Sequence, residues 1–104
     1  MEARLRRLEG QTVTDAVELH DYAQLYFGPN TILSVYNRHS CSPEGVSIAD
    51  LKGSMVTRVH ESKDSVVLEF LPRGDLYVDL RQEAYLGPEA MTLHVKGEPV
   101  VVWN

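Results

Sequence analysis

Apolar residues in this chain fall into short runs of alternation, and the same runs occur twice. Ala23, Leu25 and Phe27 alternate with Tyr22, Gln24 and Tyr26; further on, Val66, Leu68 and Phe70 alternate with Ser65, Val67 and Glu69. The next run places Leu33 and Val35 on one phase, matched by Leu76 and Val78, with Leu80 continuing it. Period-2 alternation of this kind predicts half-buried antiparallel strands.

The two sets of runs are copies. Shifted by 43 residues, 8–38 aligns with 51–81 without a gap. Twelve of the 31 aligned positions are identical, among them Leu8/Leu51, Gly10/Gly53, Glu18/Glu61, Asp21/Asp64, Phe27/Phe70 and Arg38/Arg81. Average composition would give roughly two. A fixed period of this size marks a repeated supersecondary unit.

Each copy opens on a short amphipathic turn. Leu5 and Leu8 precede Gly10, and Ile48 and Leu51 precede Gly53, an i, i+3 apolar pair stopped by glycine. Ser42-Pro43-Glu44 offers a start for the second turn. A first strand follows, about Gln11 to His20 and Ser54 to Ser62. Its apolar residues Val13 and Ala16, like Val56 and Val59, stand three apart, so a β-bulge near Thr14-Asp15 and Thr57-Arg58 is needed to put them on one face. Turns at His20-Asp21 and Lys63-Asp64, then at Pro29-Asn30 and Pro72-Arg73-Gly74, complete two three-stranded meanders. Beyond them, Ser42-Pro43-Glu44-Gly45 resembles Gly87-Pro88-Glu89-Ala90, and Val100 to Trp103 reads as the opening strand of an unfinished third copy that closes an open edge.

The expected fold is mainly β: two tandem turn-plus-three-strand meander repeats and a C-terminal closing strand, forming a small barrel or sandwich with at most short helical turns. One domain, 1–104, is expected, with repeats at about 5–38 and 48–81 and an extension at 82–104. The expected core is Val13, Ala16, Ala23, Leu25, Phe27, Leu33, Val35, Val56, Val59, Val66, Leu68, Phe70, Leu76, Val78, Met91, Leu93, Val100 and Val102.

Composition narrows the classes. Hydrophobic residues make up 43% of the 104, enough for a core without staples. The single cysteine excludes a disulfide framework. The segment MEARLRRLEG has charge and no apolar run, so no secretory signal is expected, and no run reaches membrane-spanning length. A soluble cytoplasmic protein is expected; the cadence Leu-x-Gly-x-x-Val, Leu-x-Phe, Leu-x-Val resembles small bacterial β domains in style and brings no catalytic residues with it. The net charge of −5 argues against nucleic acid and favours a basic partner. The basic cluster Arg4, Arg6 and Arg7 reads as solvated.

Subtracting one copy from the other isolates what is special to each. The outward phase of the first meander carries Tyr22, Gln24, Tyr26, Ile32, Ser34 and Tyr36, where the second carries Ser65, Val67, Glu69, Asp75, Tyr77 and Asp79. Tyrosines on neighbouring strands make an amphipathic patch of the kind enriched at interfaces. Tyrosine is also simply a good strand former. The acidic counterpart reads as exposed charge blunting a strand.

The segment Asn37-Arg38-His39-Ser40-Cys41-Ser42, read as a loop, holds the densest chemistry. Cys41 with His39 as base is the arrangement a thiol nucleophile needs, although no oxyanion-hole motif accompanies it. One cysteine falls short of a zinc pattern, and no metal or cofactor is expected. His20, His60 and His94 show no convergence. The shared acids Glu18/Glu61 and Asp21/Asp64 offer carboxylate pairs for acid–base work, but they sit at the same place before a turn in each copy, and turn capping explains Asp21 and Asp64 without further assumption. The binding candidates are therefore Tyr22, Gln24, Tyr26, Ile32, Tyr36, Arg38, His39 and Cys41.

Three functions are compatible with this pattern. The favoured one is a small protein-interaction module, an adaptor or immunity-type binder, with another protein as partner and no membrane or nucleic acid. Exposed edge strands leave room for a homodimer. The alternative is a small-ligand-binding β domain, which requires a concave apolar pocket. A thiol-dependent enzyme is the least favoured.

Overall fold

In the computed structural model, which describes residues 4–20 and 22–104, the chain forms two antiparallel sheets and three short 3-10 turns. Strands β1 (Asp15–Glu18), β2 (Ala23–Tyr26) and β3 (Thr31–Val35) form the first meander. Strands β5 (Met55–Glu61), β6 (Ser65–Leu71) and β7 (Gly74–Asp79) form the second. The strand after each meander crosses to the other sheet. Thus β4 (His39–Ser42) pairs with β7, and β8 (Met91–Val95) pairs with β3. The sheet orders are β1-β2-β3-β8-β9 and β4-β7-β6-β5, with β9 (Val101–Trp103) at an edge beside β8. The result is a sandwich; β9 extends one sheet and does not close a barrel.

Backbone hydrogen bonds repeat under the 43-residue shift with the copies exchanged. Gly10 N–H donates to the Val56 carbonyl at 2.7 Å, and Gly53 N–H to that of Val13 at 2.8 Å. Val13 N–H donates to Ser54 at 2.8 Å, and Val56 N–H to Gln11 at 2.9 Å. These four bonds lace the segment before β1 to the start of β5 and the residues just before it. Gln11–Val13 is thereby withdrawn from the long first strand expected of copy one, and β1 starts only at Asp15.

The bulge expected in the second copy is present, as a register shift between Val56 and Arg58 in the β5–β6 ladder. Its consequence holds in both copies: Val13 and Ala16 are buried, as are Val56 and Val59. The 3-10 turns Arg4–Leu8 and Ile48–Leu51 seat Leu5, Leu8, Ile48 and Leu51 in the core. The second turn begins after Ser47 rather than at Ser42. Ser47 donates both its main-chain N–H (2.9 Å) and its hydroxyl (3.1 Å) to Asp50, so the Asp50 carboxylate reaches back to satisfy the N–H of the capping residue. Asp21, expected in the first hairpin turn, lies outside the described residues.

The expected core is buried except at the C-terminus. Val100 is 43% exposed and Val102 only partly covered, whereas Trp103 is buried. Pairing explains the phase: Met91 and Leu93 point inward, and they stand opposite Trp103 and Val101. The Pro43 and Pro88 segments also prove not to be equivalent, because β4 precedes Pro43 whereas β8 follows Pro88. No helix among the described residues is long and apolar enough to cross a membrane.

Candidate functional site

The outer face of the five-stranded sheet gathers five of the eight candidates. Strand register sets them in rows: Val17, Gln24, Ser34, Thr92 and Val102 in one, and Asp15, Tyr26, Ile32 and His94 in the next. Tyr22 and Tyr36 extend the face beyond the ends of β2 and β3, their rings 5.6 Å apart and tilted by 36°. All of Tyr22, Gln24, Tyr26, Ile32 and Tyr36 are half-buried. Tyr22 packs on Tyr36, and Tyr26 on Gln24. Gln24 sits at the middle, donating to the Ser34 hydroxyl at 3.2 Å and accepting from the Tyr26 hydroxyl at 3.0 Å.

This stitching buries polar groups on an outward face. Ser34 and Thr92 are almost wholly covered, and the Thr92 hydroxyl has no partner among the described residues. The network holds the Tyr26 side chain in advance of any contact, which lowers the ordering cost of a contact made there. Two large apolar side chains that the alternation did not single out flank the patch. Leu19 follows β1 with 44% exposure, and Leu86 is 72% exposed beside the cleft it lines with Tyr36, Pro88 and Glu89. Their exposure depends on how the chain turns, which periodicity does not report.

The other three candidates lie elsewhere. Residues 39–42 are not a loop but β4, at the edge of the second sheet. Cys41 pairs with Leu76 and is packed against the core. Burial, helped by the negative charges of Glu18 and Asp50, pushes its thiol up to about 11. A thiol in that state is protonated near neutrality and makes a poor nucleophile. His39 is also engaged: Nδ1 donates to the Asn37 carbonyl at 2.8 Å and Nε2 lies 3.0 Å from Glu18 Oε2. With both ring nitrogens committed, His39 is not placed as a base for Cys41. Arg38 is exposed between β3 and β4 and has no carboxylate within salt-bridge distance among the described residues.

The acidic face of the second sheet is less bland than its sequence suggests. Asp79 is buried: its carboxylate accepts from Arg81 Nη2 at 2.8 Å, Nε at 3.0 Å and the main-chain N–H at 2.9 Å. These bonds hold Asp79 well below the usual carboxylate range, at about 2. The histidines do not converge. His60 bonds Glu69 at 2.7 Å, and His94 is exposed on the tyrosine sheet. No group of three or more His, Cys, Asp or Glu poised for a metal occurs among the described residues. The clefts described are surface features, whereas the space between the sheets is filled by side chains with almost no exposure.

One polar cluster escaped the sequence reading. Glu61 Oε2 accepts from Trp103 Nε1 at 2.7 Å, and the Arg4 guanidinium lies over the indole with Cζ 4.4 Å from its centroid. The signal available was the identity of Glu18 and Glu61 at one position of the two copies. Arg7 and Glu98 form a bidentate pair at 2.8 and 2.9 Å, and Arg6 stands 3.9 Å from Glu9, so each described arginine of the N-terminal cluster faces an acid of its own.

No protein-family model, curated protein or solved structure matches the chain.

Proposed function

We propose that the chain is a small protein-interaction module that docks another protein on the outer face of its five-stranded sheet. The observation that carries this reading is the continuity of Tyr22, Gln24, Tyr26, Ile32 and Tyr36 into one pre-ordered amphipathic patch. Copy two has the same backbone unit and lacks the patch, so framework needs do not account for it. Half-buried tyrosines supply large contact area at low entropic cost. Exposed Leu19 and Leu86 enlarge the apolar centre. Asp15 and Glu89 at its margin, and a net charge of −5, favour a partner with an apolar contact surface and a basic rim. On this reading the duplicated framework is a cytoplasmic, bacterial-type scaffold that one copy has adapted for binding.

The test compares capture of partners from native lysate by the wild type and by Tyr22→Ser/Tyr26→Ser/Tyr36→Ser, with thermal unfolding recorded for both. A protein held by the wild type and lost by a folded variant supports the reading. Equal capture by two folded proteins overturns it.

A further inference from the structure

Where the edge of β5 meets the edge of β9, a cleft is lined by Arg4, Glu61, Lys63, Leu80, Tyr85 and Trp103 among others. Its chemistry is incomplete. The Glu61 side chain is only 4% exposed, yet among the described residues its Oε1 has no hydrogen-bond partner, and Oε2 has only Trp103 Nε1. A buried carboxylate ordinarily collects several donors, and one left short carries a desolvation cost. The nearest cation among the described residues does not fill the gap. Arg4 Nη2 stands 4.0 Å from Oε2, beyond hydrogen-bond reach. The main chain at Arg4 is anchored, because Leu5, the next residue, and Leu8 are fully buried in the core, whereas the Arg4 side chain is 40% exposed and can leave the ring.

The cleft thus combines an indole face already carrying a guanidinium with a buried carboxylate that still lacks donors. These are the two elements that recognise a guanidinium: a cation–π face and a bidentate acceptor. We infer that this cleft is a receptor for an arginine side chain of a partner polypeptide, and that Arg4 is its internal, imperfect occupant. An incoming arginine displaces Arg4 from the Trp103 ring and donates to both Glu61 oxygens. Lysine is disfavoured, because a point charge offers neither the planar stack nor the paired donors. The inference stands on a different surface from the tyrosine patch and does not depend on it.

Trp103 is the chain's sole tryptophan, so its fluorescence reports occupancy directly. The probe is Ac-Gly-Arg-Gly-NH2, titrated against its lysine and citrulline counterparts into the full chain. Expected is a saturable response to the arginine peptide alone. Removing the competitor with Arg4→Ala tightens it by about tenfold, and adding Glu61→Gln, which retains an acceptor for the indole N–H, abolishes the gain. Arg4→Gln provides the same comparison should Arg4→Ala fail to fold. Two results overturn the proposal: no saturable response in the folded Arg4 variants, or a citrulline peptide that titrates like the arginine one. Neither bears on capture through the tyrosines.

Discussion

Glu18 and Glu61 hold the same position in the two copies, and each reaches from its own sheet to a ring nitrogen on an edge strand of the other. Glu18 Oε2 meets His39 Nε2 of β4 at 3.0 Å, and Glu61 Oε2 meets Trp103 Nε1 of β9 at 2.7 Å. Between them they tie β1 to β4 and β5 to β9, where no strand ladder joins the two sheets. An identity that reads as a turn feature along the chain is therefore a pair of cross-sheet ties.

The two ties differ in worth. The Glu18 side chain is 52% exposed and its bond competes with water, so Glu18→Ala is expected to cost less than about 1 kcal/mol. Glu61 is buried, and its loss leaves the Trp103 N–H without a partner. Glu61→Ala is expected to cost about 2–3 kcal/mol. Urea unfolding at neutral pH measures both, and equal costs would show that burial is not what separates them.

The Asp79–Arg81 pair gives acid sensitivity a defined window. In the unfolded chain the carboxyl titrates near its ordinary 3.8, and in the fold it is held at about 2 by the Arg81 bonds. Between these values the unfolded state binds more protons, so stability falls as pH falls. The contribution is complete above about pH 5 and is lost as pH drops through about 2. The stability difference between wild type and Asp79→Asn should be flat above pH 5 and shrink toward pH 2. A difference that persists unchanged at pH 2 would mean that the carboxylate is not what stabilises this corner.

Much of this architecture is legible in the residue pattern, and the omissions have physical causes. Alternation finds β2, β3, β6 and β7 because each buries one face against the other sheet. The paired three-residue spacings find the bulge of the second copy because Val56 and Val59 must share a side. What alternation misses is the exchange of β4 and β8 between sheets. β4 reads His-Ser-Cys-Ser, with two half-buried and two exposed residues, so it carries almost no hydrophobic signal. The phase of β9 is hidden for a different reason: a run of three valines before Trp103 suits either face, and only pairing with β8 decides it. The tyrosine face is legible by subtraction, because the second copy serves as its control. The Arg4–Glu61–Trp103 cleft is not, because it joins residues from three remote segments.

Cys41 should behave as a structural thiol. With its thiol pushed from 9.0 to about 11, it is protonated at pH 8 and should react with a disulfide reagent far more slowly than the same residue in the urea-unfolded chain. The linkage runs opposite to that of Asp79. Between about pH 9 and 11 the fold holds a proton that the unfolded chain releases, so stability falls as pH rises through that window. Cys41→Ala should remove that part of the alkaline slope. A rapid reaction at pH 8 in the native protein would show instead that the thiol is open and ionised.

Gly74 is the glycine on which the β4–β7 pairing depends. Its φ is +149°, and a Cβ placed there would run into the backbone carbonyl oxygen of Ser42. A flexible side chain could step aside, whereas a main-chain carbonyl on a paired strand cannot move without shifting β4. Gly28, with φ +75°, has open space around the same position. Alanine at either site meets the penalty of the left-handed region, about 1 kcal/mol. At Gly74 the steric conflict is added, and Gly74→Ala is expected to cost about 3 kcal/mol or more. Amide hydrogen exchange locates the damage: protection should fall first in β4, at the partners of Asp75 and Leu76, before it falls in β5 and β6. Equal losses for Gly28→Ala and Gly74→Ala would show that torsional strain alone sets the cost, and that the close approach of β4 to the start of β7 contributes nothing.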